Sequence, residues 1–271
     1  MQHPAQLLKQ HNLYASKRRG QNFLAQPATA RAIVQAANIQ PEDTVVEIGS
    51  GLGALTMELA QVANRVIALE IDRGVFQVLR ELLQGAGNVE LRQMDAMDFQ
   101  WQELARPVKV VGNLPYSISS PLIFSLLENL NTWQNATLML QKELAERLNA
   151  QPGSKAYGRL SVMVQCLCHM HIDMLVGPDN FFPKPTVDSL VFTLTPRPVP
   201  LVPALELAYF NQVVKAAFAQ RRKTLLNSLG SGLPLSKEQL LAAIERAGLN
   251  PSVRAEILSI EQLAQLSRAL A

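Results

Sequence analysis

Cysteine is scarce here: the 271 residues include two, Cys166 and Cys168. They stand too close together for an ordinary structural bridge. With His169 and His171 they resemble a metal site, but strand alternation puts Cys168 and the histidines on opposite faces. No second ligand group exists elsewhere, so no metal is expected. Also missing is any run long and apolar enough to span a bilayer, or an apolar central region for a signal peptide. The expectation is a reduced, cytoplasmic protein with no membrane partner. Acidic residues are absent from Met1 to Leu24, which carries four basic ones, Lys9, Lys17, Arg18 and Arg19. A basic start of this kind suits a mitochondrial leader, but the motif beginning at Gly20 leaves little room for one.

What is present is a core. Hydrophobic residues make up 48% of the chain, too many for a disordered protein. The net charge of +3 is unevenly spread. From Ala204 onward there are eight basic and five acidic residues, while the segment between Leu24 and Ala204 has 13 basic and 17 acidic. Positive ends around an acidic middle suit a polyanion held by flanking elements while a central domain does chemistry. Basic tails that merely aid solubility would look the same.

The stretch Val110-Val111-Gly112-Asn113-Leu114-Pro115-Tyr116 organises the rest. A short apolar strand, Val108 to Val111, runs into a turn holding an amide, a proline and an aromatic ring. The Asn113 carbonyl and a backbone carbonyl held out by Pro115 can accept hydrogen bonds from an exocyclic amine, and Tyr116 offers a face for stacking. An ordinary turn after a strand is the alternative.

In chain order, residues up to about Ser16 read as disordered or loosely helical. Lys17-Arg18-Arg19-Gly20-Gln21-Asn22-Phe23-Leu24 reads as an arm that touches nucleic-acid phosphates and then folds over a ligand, or as a basic tail with a docking Phe23. Pro27 to Ala37 has helical spacing. Thr44 to Ile48 is a buried-type strand leading into Gly49-Ser50-Gly51-Leu52-Gly53 and a helix over 54–62. That is the nucleotide-binding opening of an α/β fold. Strand 65–69 ends in Glu70, where an acid meets ribose hydroxyls. Strand 89–93 leads to Asp95, suited to an adenine amine or to capping a turn; for Asp98 capping is the preferred reading. Gly49, Gly51 and Ala54 also satisfy a dinucleotide pattern, which keeps a dehydrogenase open. Glu47, just before the glycines, places negative charge near the pocket and suits a cationic sulfonium.

Beyond the Asn113 stretch, a helix over 121–130, a strand over 137–140 and a helix over 142–148 follow. Gln151 to Gly158, rich in Gly, Pro and Lys, reads as a surface connection, with contact to RNA as the alternative. A helix over 158–167 precedes a strand over 168–176 that alternates cleanly. Phe181-Phe182 precede a stiff, proline-broken loop and can supply a second wall for a flipped base, or a hydrophobic plug at a sheet edge. A last strand covers 188–194. Pro196 to Pro203 reads as a linker. The remainder is helical, with Arg221-Arg222-Lys223 as its basic focus, gripping phosphates or forming a solvated helix face.

Taken together, these residues resemble the ribosomal RNA adenine N6-dimethyltransferase family, specifically the bacterial type acting near the 3′ end of small-subunit RNA. The resemblance is carried by Gly20–Leu24, Glu47–Gly53, Glu70 to Asp72, Asp95-Ala96-Met97, Gly112–Tyr116, Lys155–Val162, Phe181–Ser189, Gln220–Lys223 and Asn227-Ser228-Leu229. It implies an α/β fold: a Rossmann-like, class I S-adenosylmethionine-dependent methyltransferase with a seven-stranded sheet and a small C-terminal all-helical domain. The implied domains are a basic arm with a cofactor-covering motif over 1–24, a catalytic domain over 25–200 and a helical RNA- or ribosome-binding domain over 201–271. The implied cofactor contacts are Asn22, Leu24, Gly49, Gly51, Glu70, Asp95, Ala96 and Asn113. Asn113, Leu114, Pro115 and Tyr116 match the target-amine motif, and Phe181 the base-stacking aromatic. Lys17, Arg18, Arg19, Arg221, Arg222 and Lys223 are the expected RNA contacts. Phe182 and Lys184 interrupt the family's proline-rich run, which is expected to alter local packing rather than chemistry. The implied partner is small-subunit ribosomal RNA or an immature small subunit, met by a monomer, with a role in subunit assembly. A resistance-type methylase of large-subunit RNA, a non-catalytic assembly factor and a DNA adenine methylase are the rivals.

Overall fold

The computed structural model describes residues 2–16, 19–104, 107–115 and 118–271. Contacts group the chain into two units: residues 1–145 with 170–196, and residues 146–169 with 197–271. The sequence reading ends its catalytic domain at residue 200 and does not separate residues 146–169 from it.

The first unit begins with helix α1 (Pro4–Gln10), the short strand β1 (Phe23–Leu24) and α2 (Pro27–Ala36). Strands and helices then alternate: β2 (Thr44–Ile48), α3 (Ala54–Val62), β3 (Arg65–Glu70), α4 (Arg73–Leu82), β4 (Val89–Gln93), β5 (Val108–Asn113), α5 (Ser119–Glu128) and β6 (Trp133–Gln141). Helices α6 (Lys142–Leu148) and α7 (Arg159–Leu167) come next, followed by β7 (Cys168–Val176), β8 (Phe181–Phe182) and β9 (Ser189–Pro196).

Seven strands form one sheet in the order β4-β3-β2-β5-β6-β9-β7, and β1 pairs with β8 in a separate ribbon. Strands β2 to β6 pair in parallel, and β9 runs antiparallel to β6. Parallel strands are covered on both faces, which is why β2 and β5 are buried along nearly their whole length, Glu47 and Lys109 included, rather than at alternate positions. From β2 the chain builds outward through β3 and β4 on one side, then crosses back to lay β5 on the other side of β2. A sheet built that way opens a crevice beyond the carboxyl end of β2.

Several elements differ from the sequence reading. Residues 4–10 are an ordered helix. His3 Nδ1 accepts from the Ala5 N–H, Pro4 opens the helix, and Leu7 and Leu8 are buried. A seven-residue helix is marginal alone. Burying two leucines against Phe23, Leu52, Val75 and Val78 supplies roughly 1.5–3 kcal/mol each. Strand β5 continues to Asn113, so the amide ends a strand instead of sitting in a turn. Strand β6 starts earlier than expected, at Trp133, whose indole N–H donates to the Leu126 carbonyl at 2.9 Å. On β7 the alternation is imperfect, since Ile172, expected on the inward face with Cys168 and Val176, is exposed. Phe182 packs with the α1 cluster and edge-on to His3.

The second unit contains α7 and four further helices, α8 (Ala204–Ala217), α9 (Leu225–Gly232), α10 (Lys237–Arg246) and α11 (Ile260–Leu270). Ser236 with Gln239, and Ser259 with Gln262, form capping boxes that start α10 and α11. The segment 197–203 is pinned rather than a free linker: the N–H groups of Arg197 and Leu201 donate to the Leu167 and Cys166 carbonyls, and Val202 is buried. Prolines 198, 200 and 203 lack a donor, so the intervening residues supply those bonds. The connection 151–158 ends in the fully buried Tyr157, whose hydroxyl donates to the Leu258 carbonyl at 3.1 Å and whose ring meets Phe218 edge-on. Burial pushes the Cys166 thiol up to about 11 and the Cys168 thiol up to about 12.

Candidate active site

The carboxyl ends of β2, β3, β4 and β5 surround a cavity of about 410 Å³. That is the scale of a small-molecule site. Each strand delivers one group. From β2 comes the glycine loop, where Gly49 and Gly51 have φ of +72° and +55°. At Gly51 a Cβ would also come 3.2 Å from the Phe23 ring. The Gly49 and Ser50 N–H groups both donate to the Leu69 carbonyl at 3.0 Å.

From β3 comes Glu70. Its Oε2 accepts from the Gly51 N–H at 2.8 Å and its Oε1 from the Asp72 N–H at 2.7 Å. Burial is the largest influence and raises its pKa against those two bonds. Asp72 caps α4, with Oδ1 accepting from the Gly74 and Val75 N–H groups. Its Oδ2 accepts from Arg19 and from the Gln21 amide. Burial opposes the charge, but the Val75 N–H and Arg19 outweigh it and hold Asp72 below the usual carboxylate range.

Asp95 follows β4 and accepts from the Met97 N–H through Oδ1 at 2.9 Å. The cap is therefore Asp95 rather than Asp98. Asn113 ends β5, and its Nδ2 donates to the Asn22 carbonyl at 3.1 Å. A main-chain carbonyl can only accept, so the amide nitrogen must face it, and Oδ1 is left as an acceptor. The Pro115 carbonyl is committed to the Ile118 N–H and the Ser119 hydroxyl. Among the described residues, none donates to the Leu114 carbonyl.

Glu47 lies in the cavity wall, 1% exposed, and its Oε2 has no partner among the described residues. Burial pushes its carboxyl up to about 8, against a smaller pull from Thr56. In the free protein near neutral pH the group is mostly protonated. This corrects the reading of a standing negative charge. A cation beside it would favour the ionised form.

The cavity collects the expected cofactor residues Asn22, Leu24, Gly49, Gly51, Glu70, Asp95 and Ala96, and the expected target residues Asn113, Leu114 and Pro115. Phe181 does not line it. Its ring is buried in the core cluster, and its backbone pairs with Leu24. Lys17, Arg18 and Tyr116 lie outside the described residues. Arg19, read as a phosphate contact, instead pairs with Asp72. In the second unit Arg221 donates to the Lys155 and Tyr157 carbonyls, while Arg222 and Lys223 are exposed. The sequence reading missed the Gln21–Asp72 tie and the Ser119–Pro115 brace. The first joins residues 51 apart, a spacing that carries no signal, whereas the second is a serine bonding back four residues, a local pattern open to sequence reasoning.

Residues 12–271 match the family described as Ribosomal RNA adenine dimethylase. The chain belongs to the ribosomal RNA adenine dimethylase family. Ribosomal RNA small subunit methyltransferase A of Moorella thermoacetica is 44% identical, over 97% of this chain and 95% of the relative. The protein of the same name in Clostridium botulinum (strain Okra) is 41% identical, over 97% and 96%. Among solved structures, a dimethyladenosine transferase from Plasmodium falciparum superposes with a TM-score of 0.74 at 29% identity, covering 90% of this chain and 95% of that one. The 23S rRNA methyltransferase ErmE gives 0.68 at 30% identity, covering 92% and 99%. The expected class I methyltransferase fold is thus borne out, and the dehydrogenase and DNA-methylase readings fall away. As a member of the family, the protein is an S-adenosylmethionine-dependent enzyme that dimethylates adenine in ribosomal RNA. The cavity fits that cofactor on its own terms: a glycine cradle, a buried acid bonded to two N–H groups, and an orphaned buried carboxyl oxygen. No described helix is long and apolar enough to cross a membrane.

Proposed function

We infer that the target is adenine near the 3′ end of small-subunit ribosomal RNA, presented on an immature subunit in the cytoplasm to a monomeric enzyme. The observation that carries the chemistry is the fixed Asn113 amide, whose Nδ2 is held by the Asn22 carbonyl while no described residue donates to its Oδ1 or to the carbonyl of the next residue, Leu114. Two acceptors side by side can hold both hydrogens of an exocyclic amine and draw its lone pair out of conjugation. The small-subunit assignment is supported by the names of relatives at 41–44% identity.

When bound, S-adenosylmethionine supplies a methyl group already activated on a sulfonium, so positioning can provide most of the acceleration. In this reading Glu70, which keeps further lone pairs on both oxygens, accepts from ribose hydroxyls. The second oxygen of Asp95 accepts from the cofactor's adenine amine. Ala96, Leu24 and the Gly49–Gly51 backbone close the apolar and cradle surfaces around it. The target base leaves its stack to reach Asn113 and Leu114. Tyr116 supplies one stacking face and Phe181 backs the other. The amine proton departs after transfer, so no strong base is required. A monomethylated amine has a single hydrogen and satisfies one of the two acceptors. Arg222 and Lys223 hold phosphates.

The test is methyl transfer from labelled S-adenosylmethionine to immature small, mature small and large subunits, with the modified base identified by mass spectrometry. Dimethyladenosine appearing only on unmodified small subunits is expected. Label in large subunits would overturn the assignment in favour of the reading that the likeness to ErmE supports. Tight binding to small subunits without transfer would favour an assembly factor.

A further inference from the structure

The segment 19–24 touches three parts of the site. At one end Arg19 and Gln21 bind Asp72, two residues past Glu70. In the middle the Asn22 carbonyl accepts from Asn113 Nδ2, and the Asn22 side chain turns back to the Gly20 carbonyl at 3.2 Å. At the far end Phe23 and Leu24 pair with Phe182 and Phe181. The strap is also braced from behind, since Gln21 Oε1 accepts from the Ser16 N–H at 2.8 Å.

An amide can rotate about its last side-chain torsion by half a turn, exchanging a donor for an acceptor at nearly the same place. A target amine needs an acceptor there; a flipped Asn113 would offer it a second donor. Among the described residues, no hydrogen bond from within β5 selects between the two orientations. The Asn22 carbonyl does, because it can only accept.

We propose that the Asn22 main-chain carbonyl is a positioning group for the reaction: by holding Asn113 Nδ2 it fixes Oδ1 toward the target, so the amine acceptor is correctly formed only while the strap is docked on Asp72. This inference rests on the target-amine role given to Asn113 above. Its consequence is a dependence of base capture on the cofactor side of the cavity. The strap that lines the cofactor cavity also sets the catalytic amide. Cofactor loading that steadies the strap therefore prepares the amine site, and the favoured order is cofactor first, base second.

The experiment uses the double variant Arg19→Ala, Gln21→Ala, which removes both bonds to Asp72 together with the Gln21–Ser16 brace and leaves Asn22 and Asn113 intact. The side-chain NH2 pair of Asn113 is observed in the 15N-labelled full chain and identified by its loss in Asn113→Asp. In the wild type its hydrogen-bonded proton should exchange slowly with solvent. In the double variant exchange should quicken about tenfold or more, with the remaining amide spectrum and the melting temperature little changed. In methyl transfer at saturating cofactor, kcat should fall about tenfold or more while KM for RNA holds, since small misplacements at a reacting centre cost that much. Arg19→Lys with Gln21 retained should recover most of it. An Asn113 pair that is unchanged in the double variant would overturn the proposal. So would a normal kcat with only the cofactor KM raised, which would make the strap a cover and nothing more. The exchange measurement needs neither RNA nor turnover. Its failure is therefore separable from failure of the target assignment, which would show as no transfer by the wild type.

Discussion

The Gly51 N–H donates to Oε2 of Glu70 at 2.8 Å, tying the glycine loop after one strand to the end of the next. Glu70 takes a second N–H, from Asp72, on its other oxygen. Glutamine has only one carbonyl oxygen, so Glu70→Gln would turn an NH2 group toward one of these donors. A loss of about 1–3 kcal/mol is expected in urea unfolding. Calorimetry with S-adenosylhomocysteine should show weaker binding. Unchanged stability would mean that water replaces the lost acceptor.

Glu47 should make the protein less stable as pH rises. Its folded pKa, about 8, lies above the ordinary 4.5, so the folded state holds one more proton between those values. The stabilisation is fully present below about pH 4.5 and is lost as pH climbs through about 8. At roughly 1.4 kcal/mol per pH unit, the span is a few kcal/mol. Unfolding free energies at pH 5 and pH 8 should differ by that order in the wild type. Glu47→Gln should flatten this part of the profile.

Asn113→Ala should abolish methyl transfer while leaving the fold intact. The residue is half-buried, and among the described residues its removal leaves the Asn22 carbonyl without its donor. A melting curve close to the wild type with loss of label transfer is the expected pair of results. Near-normal turnover would remove Asn113 from the amine site.

Phe181 separates packing from stacking. At 5% exposure in the core cluster, its truncation to alanine should cost about 3–5 kcal/mol, so Phe181→Ala cannot isolate a role in base binding. Phe181→Leu keeps most of the volume and should cost far less. If the ring face is used by the target base, the leucine variant folds but its kcat/KM for RNA falls about tenfold. Full activity would make Phe181 a core residue only.

The basic cluster should divide by function. Arg222→Ala and Lys223→Ala should each weaken RNA binding and lower the salt slope by about one. Arg221→Ala should instead loosen the connection 151–158, because its guanidinium is spent on the Lys155 and Tyr157 carbonyls. Filter binding across a salt series, beside melting curves, distinguishes the two. An equal salt effect from all three would return Arg221 to the RNA footprint.

Local pattern carried much of this fold. Strand β2, its glycine loop and α3 fall where β-branched residues, glycines and helical spacing put them, and Glu70 and Asp95 stand at strand ends as expected. What was illegible depends on partners far along the chain. Nothing in Leu7-Leu8 indicates that Phe23, Leu52 and Val75 will cover them. The proline-rich segment 196–203 looks like a spacer until Arg197 and Leu201 find carbonyls on α7. Arg19 was legible as a cation, but whether it meets a phosphate or Asp72 depends on a residue 53 positions away. Burial reverses the expectation for Glu47, whose charge state is a property of its surroundings rather than of its type.

The two thiols have a practical side. With pKa values near 11 and 12, about one molecule in a thousand or fewer carries either as thiolate at pH 8, and both side chains are buried. Maleimide dyes therefore have almost nothing native to react with. A single cysteine placed at the fully exposed Leu205 becomes a selective handle, and fluorescence from it can follow the helical unit as it meets a ribosomal particle without altering the wild-type thiols.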